Sequence, residues 1–130
     1  MQLISFFAFL KETKGLSGPH LAIVPLSILF NWVQECKKFC PSLRLIRFHC
    51  NNSKEAGELK KQIREVTEYD VCITTYEMIK ANENLFTTIS WRTTVLDEGH
   101  RIKNLLTDTS KVCGKLKTRF KVILTGTPVQ

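Results

Sequence analysis

The sequence lacks any long run of apolar residues. No apolar stretch approaches the roughly 20 residues that a helix needs to cross a bilayer, so we predict no membrane-spanning segment and no membrane partner. The opening stretch MQLISFFAFLKETKG has no basic residue ahead of its apolar part and no small-residue cleavage site. We therefore do not interpret it as a secretory signal.

The sequence also lacks a second pair of cysteine or histidine residues at the spacing of a zinc site. Five cysteines are present, and Cys36 and Cys40 are spaced to share one face of a predicted helix. Without a partner pair, buried or incidental thiols explain them better than a metal site does. Reduced thiols favour the cytosol or the nucleus.

Acidic residues are scarcer than basic ones. The 130 residues contain 19 Lys+Arg against 12 Asp+Glu, which gives a formal net charge of +7. This surplus favours an anionic partner, nucleic acid first, without establishing one. A hydrophobic fraction of 43% beside 24% charged residues is typical of a folded domain and argues against disorder.

Predicted strands and helices alternate along the chain. The strands are short and continuously apolar, which is typical of a parallel sheet covered on both faces by helices. A helix over residues 2–14 is expected to be buried, and Ser27 is expected to cap the next one. The apolar side of that next helix is expected to contain Leu29, Trp32, Val33, Cys36 and Phe39. The predicted strands are residues 21–24, 43–48, 71–75, 93–96 and 121–124. The predicted helices are residues 2–14, 27–39, 54–66 and 107–116, with a short one beginning at residues 76–80. No repeat or linker divides the chain.

Polar residues gather where the predicted strands end. Ligands of open parallel sheets bind beyond the carboxyl ends of the strands. Of the two adjacent acids Asp97 and Glu98, one can hold a magnesium ion and the other can deprotonate a water that attacks a phosphate. An isolated pair of this kind is more often solvated or caps a helix. The segments at the strand ends are Pro25-Leu26-Ser27, Thr74-Thr75-Tyr76-Glu77, Asp97-Glu98-Gly99-His100 and Thr125-Gly126-Thr127.

Four segments carry a family resemblance by their order and spacing. They are LAIVPLSILFNW (Leu21–Trp32), DVCITTYEM (Asp70–Met78), VLDEGHRIKN (Val95–Asn104) and VILTGTPVQ (Val122–Gln130). Together they resemble the first motor lobe of a Swi/Snf-type chromatin-remodelling ATPase of the superfamily-two helicase class. Within that class they are most similar to the imitation-switch or a neighbouring subfamily. The resemblance implies an α/β fold, a RecA-like lobe with a mainly parallel sheet flanked by helices. It also implies a nuclear location.

The resemblance further implies ATP and Mg²⁺ as cofactors. Asp97 would coordinate the magnesium, Glu98 would activate the hydrolytic water, and His100 would relay the nucleotide state. On its own, His100 would more often be an ordinary loop histidine. The motif that couples hydrolysis to the grip on DNA would be Thr125, Gly126 and Thr127.

Double-stranded DNA, and hence the nucleosome, is the partner that the resemblance implies. Contacts to phosphate carry no sequence code, so binding is expected to be non-specific. Thr74 and Thr75 could instead simply be good strand residues, and Trp32 is expected in the core or an interface. The residues implied in DNA contact are Pro25, Leu26, Ser27, Thr74, Thr75, Arg101 and Lys103.

One part of the family pattern is missing from the sequence. None of the six glycines begins the phosphate-loop pattern Gly-x-x-x-x-Gly-Lys-Ser/Thr. We therefore interpret residues 1–130 as a partial helicase ATP-binding lobe that lacks the phosphate-loop strand and the second motor lobe with its arginines. We expect this chain alone to be inactive in hydrolysis, and marginally stable because its sheet would expose an edge.

Three functions stay open at this point. The first is part of a DNA-dependent remodelling motor, and the second is a nucleic-acid-binding protein without catalysis. The third is an interaction remnant, by which we mean a relic of the lobe that has neither activity and only contacts a partner.

Overall fold

The computed structural model describes residues 2–13, 18–97 and 108–124. Its helices are α1 (Gln2–Thr13), α2 (Leu26–Phe39), α3 (Ser53–Arg64), α4 (Tyr76–Ala81), α5 (Glu83–Thr88) and α6 (Asp108–Lys115). Its strands are β1 (His20–Val24), β2 (Leu45–Phe48), β3 (Val71–Thr75), β4 (Ser90–Asp97) and β5 (Lys117–Leu124). No helix in these residues combines the length and the apolar character that a membrane span requires.

The strands form one parallel sheet in the order β2-β3-β1-β4-β5. Val24 lies opposite Thr75, and Asp97 lies opposite Leu124. The carboxyl ends of neighbouring strands therefore meet at one edge of the sheet, as we predicted. The predicted α/β class and parallel sheet are both confirmed.

Helices cover both faces of this sheet. On one face, Phe7 of α1 and Trp32 of α2 pack against the apolar residues of β1 and β3. On the other face, Phe86 of α5 and Val112 of α6 belong to a larger apolar cluster. Every residue of β1 and β3 is buried, and this double coverage explains why the strand sequences are continuously apolar.

Two expectations about α2 were wrong in detail. Pro25, and not Ser27, occupies the N-cap position, because its extended backbone precedes the first helical residue, Leu26. Phe39 was expected on the apolar side with Leu29 and Trp32, but it is 56% exposed at the end of the helix. Its ring lies under the Lys38 ammonium instead, with 5.2 Å from Nζ to the ring centroid.

The outermost parts of the fold are more exposed than we predicted. In α1, Phe7 is buried but Phe9 is 50% exposed, so that helix is not buried all round. β5 lies at one edge of the described sheet, with Phe120 and Ile123 exposed at 60% and 56%. Exposed apolar residues on an edge strand favour association with other chains. The marginal stability that we expect of this chain stays a prediction.

The cysteines all carry free thiols, and all except the half-buried Cys50 are buried. Burial raises the pKa of Cys36 to about 12, helped by the neighbouring Cys40. Burial likewise raises the pKa of Cys113 to about 11. Such thiols are poor nucleophiles because the thiolate is the reactive form. The described residues contain no group of three or more potential metal-ligating side chains.

His20 is a buried polar residue at the start of β1. It is 1% exposed, and its ring stacks on Phe7 with 4.8 Å between centroids. Neither ring nitrogen has a hydrogen-bond partner within the part of the chain that the structure describes. Burial and, to a smaller extent, the charge of Arg92 lower the pKa of His20 to about 4, and Asp70 partly opposes both. The fold therefore accommodates only the neutral ring.

We expect acidification to destabilise the protein through His20. The unfolded ring titrates near pH 6.5, so between that value and about 4 the unfolded state binds the proton more readily than the folded one. The contribution of the neutral His20 ring to the free energy of unfolding is present above pH 6.5. The free energy of unfolding should therefore fall by about 2 kcal/mol between pH 7.5 and pH 5. Urea denaturation at both pH values measures it. A His20→Leu variant should show a flatter dependence, and equal slopes in the two proteins would contradict this account.

Candidate functional site

Asp97 is the last residue of β4 and lies at the carboxyl edge of the sheet. Its side chain is half-buried. The indole Nε1–H of Trp32 donates to Asp97 Oδ2 at 3.2 Å. The Tyr76 hydroxyl donates to the backbone carbonyl oxygen of Asp97 at 2.7 Å. Asp97 is therefore held from two helices, its carboxylate by Trp32 of α2 and its backbone carbonyl by Tyr76 of α4.

Sequence reasoning did not identify these two donors. Trp32 was expected in the core or an interface, and it is 4% exposed. Tyr76 was predicted only as one of the polar residues after a strand and as the start of a short helix, and it is 6% exposed. A buried indole N–H or phenol O–H usually finds an acceptor. This signal indicated that each needs a polar partner, but it could not show that both partners belong to Asp97.

The start of α2 lies at the same edge, because β1 ends at Val24. Leu26 is 54% exposed and Ser27 is also exposed, whereas Pro25 is buried. The N-cap Pro25 makes no side-chain cap hydrogen bond in the described structure. Of the first N–H groups of α2, that of Ile28 donates to the Pro25 carbonyl oxygen at 3.1 Å, and the start of a helix carries a partial positive charge.

Thr74 and Thr75 end β3 beside it, and both are buried, at 0% and 1% exposure. The Thr74 hydroxyl donates to the Phe48 carbonyl oxygen at 2.8 Å across the neighbouring strand. The Thr75 hydroxyl oxygen accepts from the Met78 N–H at 3.2 Å and thereby caps α4. Both hydroxyls have structural roles, which agrees with the alternative that they are good strand residues. Any contact that they make with DNA stays a prediction.

The other predicted site residues lie outside the described residues. One group follows β4 in the sequence and the other follows β5. Their roles stay predictions. They are Glu98, His100, Arg101 and Lys103 in the first group, and Thr125, Gly126 and Thr127 in the second.

The parallel sheet, its helices and an acid at the end of β4 define a RecA-like α/β lobe. A family model described as the SNF2-related domain matches residues 1–130. The chain therefore belongs to the SNF2-related domain family.

Individual relatives agree with this assignment. The chain is 36% identical over 130 residues to an ISWI chromatin-remodeling complex ATPase of Arabidopsis thaliana. It is 38% identical over 130 residues to the human SWI/SNF-related matrix-associated actin-dependent regulator of chromatin subfamily A member 1. In both comparisons the whole chain is covered, but it spans only 12% of the relative.

A solved structure supports the same fold. The SWI2/SNF2 ATPase core of Sulfolobus solfataricus in complex with double-stranded DNA superposes with a TM-score of 0.81 at 35% identity. The match covers 98% of this chain and 25% of that one. The chain thus corresponds to one part of a larger ATPase core.

Proposed function

We propose that this chain forms part of the first lobe of a DNA-dependent ATPase motor that remodels chromatin. The observation that carries the proposal is Asp97, held by Trp32 at the carboxyl edge of a SNF2-family sheet. The family membership supports ATP and Mg²⁺ as cofactors, and chromatin relatives support a nuclear location. The motor would be completed by a phosphate loop and a second lobe, neither of which these 130 residues contain.

The donor chemistry of Asp97 fits a magnesium ion. Mg²⁺ prefers oxygen ligands and in nucleotide sites is held by one or two carboxylates together with the substrate phosphates. A carboxylate has about four acceptor sites, and the indole hydrogen bond at Oδ2 uses one of them. When bound, Mg²⁺ would neutralise charge on the phosphates.

Hydrolysis would then depend on the residues that follow Asp97. We propose that Glu98, which follows Asp97 in the sequence, is the general base that orients and deprotonates the attacking water. His100 would report the nucleotide state toward the DNA side. Thr125, Gly126 and Thr127, which follow the neighbouring strand β5, would couple hydrolysis to the grip on DNA. The adjacency of β4 and β5 in the sheet supports this grouping.

DNA would lie along the same edge of the sheet. The exposed start of α2 at Leu26 and Ser27 offers backbone N–H groups to a phosphate, and Pro25 directs the chain into that turn. Thr74 and Thr75, with Arg101 and Lys103, complete the proposed contact. All of these groups recognise the backbone and not the bases, so we expect duplex binding without sequence preference.

The test is ATP hydrolysis by the protein at its natural length, with and without duplex DNA. We expect DNA to stimulate hydrolysis, and Glu98→Gln to lower turnover by about 100-fold or more because the general base is lost. The control is Glu65→Gln, which changes an exposed carboxylate just after α3 and should leave turnover unchanged. Residues 1–130 alone should not hydrolyse ATP.

The result also separates the alternative functions. DNA binding that weakens steeply with salt, without any hydrolysis at natural length, would favour a nucleic-acid-binding protein over a motor. Binding of neither nucleotide nor DNA would favour an interaction remnant. Turnover by residues 1–130 alone that disappears in Glu98→Gln would contradict the expected inactivity of this chain.

A further inference from the structure

Two hydrogen bonds converge on Asp97 from helices on opposite faces of the sheet. Trp32 of α2 belongs to the apolar cluster on one face, and Tyr76 of α4 belongs to the cluster on the other. The indole donates to the carboxylate at 3.2 Å, and the phenol donates to the backbone carbonyl of the same residue at 2.7 Å. One bond acts on the side chain and the other on the main chain.

These bonds fix different parts of the geometry of Asp97. The Tyr76 hydroxyl holds the peptide that ends β4, and so determines where the Cα of Asp97 lies. The Trp32 indole has a single N–H, and its ring is almost completely buried, so the donor has a fixed direction. A fixed donor on Oδ2 determines the rotation of the carboxylate. Together they leave the acid little freedom in position or orientation.

We infer that Trp32 and Tyr76 are positioning residues for the magnesium-binding acid, and this inference rests on the proposed function. Groups that orient a metal ligand typically change metal affinity or activity by about 10- to 100-fold when they are removed. In this proposal each residue acts through its hydrogen bond to Asp97. Removal of either hydrogen bond should therefore raise the Mg²⁺ concentration that the protein needs for hydrolysis while the fold is kept.

Phenylalanine variants test this inference with matched controls. Trp32→Phe and Tyr76→Phe each keep an aromatic ring and remove one donor. Trp91→Phe and Tyr69→Phe remove the same kinds of donor from buried bonds elsewhere, to Phe86 O at 3.0 Å and Ile63 O at 2.7 Å. All four variants should lose some thermal stability, so stability alone does not distinguish positioning from packing.

The Mg²⁺ dependence of ATP hydrolysis distinguishes them. In the protein at its natural length, Trp32→Phe and Tyr76→Phe should raise the Mg²⁺ concentration for half-maximal turnover by about tenfold. The two control variants should leave that concentration unchanged. A half-maximal concentration that is the same in Trp32→Phe and in Trp91→Phe would overturn the inference.

A second measurement does not depend on turnover. In protein labelled with 5-fluorotryptophan, Mn²⁺ with ATP should broaden the fluorine resonance of Trp32, because the paramagnetic ion would bind next to its partner Asp97. Trp91 lies at the other end of β4, about 20 Å along the strand, and should broaden far less. Each resonance is assigned by its loss in the corresponding phenylalanine variant.

The Mn²⁺ titration also separates failure of this inference from failure of the proposed function. We expect Tyr76→Phe to shift the titration midpoint several-fold upward and Asp97→Asn to abolish the broadening. If wild-type protein shows broadening and Tyr76→Phe shows the same midpoint, the inference is wrong while the metal site stands. If wild-type protein shows neither broadening nor hydrolysis, the proposed function fails and this inference fails with it.

Discussion

Replacing Gly18 with alanine should destabilise the protein by about 3 kcal/mol, at the upper end of the range for overpacked sites. A Cβ at this position would clash with the carbonyl oxygen of Asp70 and would stand 2.6 Å from the backbone nitrogen of His20. Both are backbone atoms, and they already form a hydrogen bond of 2.9 Å with each other. The methyl group therefore has no flexible neighbour to displace, and the start of β1 must move away from β3.

The control for this prediction is the same substitution in α3. Gly57 lies within that helix, and a Cβ there meets no atom within 4 Å. Because alanine is a better helix former than glycine, Gly57→Ala should stabilise the protein by up to about 1 kcal/mol. Urea denaturation of both variants measures the two effects. Changes of the same sign would contradict the proposed clash at Gly18.

The central strands were predictable because burial and sequence agree there. β3 was predicted at residues 71–75 and is observed at Val71–Thr75, and β1 begins one residue earlier than predicted, at His20. These strands lie in the middle of the sheet and are buried on both faces, so apolar residues predominate in them. The parallel arrangement followed from the alternation of strands with helices.

The peripheral elements were less predictable. β5 was predicted at residues 121–124 but begins at Lys117, because an edge strand tolerates exposed charges such as Lys117 and Arg119. α5 was not predicted at all. Its six residues contain only Leu85 and Phe86 as buried apolar side chains, too few to show a helical period. Tertiary packing against α4 and α6, and not the local pattern, defines it.

The position of Asp97 at the sheet edge could be predicted, but its partners could not. The end of an apolar strand is visible in the sequence, and in a parallel sheet it has a known direction. Trp32 and Tyr76 are 65 and 21 residues away along the chain. The sheet order, which places β1 between β3 and β4, brings them to Asp97. No local pattern contains that information.

Asp70 forms a second polar cluster at the opposite edge of the sheet. Its carboxylate is 1% exposed, and it accepts from Lys11 Nζ at 2.8 Å and from the Arg44 guanidinium at 3.1 Å. The backbone N–H of Arg44 also donates to it at 2.8 Å. Burial alone would raise the pKa of Asp70, but the hydrogen bonds from Arg44 and Lys11 outweigh burial and lower it. The folded state therefore favours the charged form of the Asp70 carboxylate.

Removing both cationic partners should destabilise the protein strongly. In a variant with Lys11→Met and Arg44→Met, the buried Asp70 carboxylate would lose its ion pairs, at a cost of about 3 kcal/mol or more at pH 7. Adding Asp70→Asn to this variant should recover part of the stability, because it removes the unpaired buried charge. Urea denaturation of the three proteins measures both steps. A further loss of stability on adding Asp70→Asn would contradict the argument.

The pH dependence of stability that Asp70 causes should have opposite signs in the wild type and in the variant with Lys11→Met and Arg44→Met. In the wild type the pKa of Asp70 is lowered, so its contribution is present above the unfolded value near 3.9 and is lost as pH falls through the lower folded value. Without Lys11 and Arg44, burial dominates and the pKa of Asp70 rises, so acidification toward the raised value should restore stability through Asp70.

The exposed ion pair of Lys115 and Glu83, also 2.8 Å long, provides the control for the buried Asp70 pairs. Glu83→Gln should change stability by less than about 1 kcal/mol, because solvent already screens that pair.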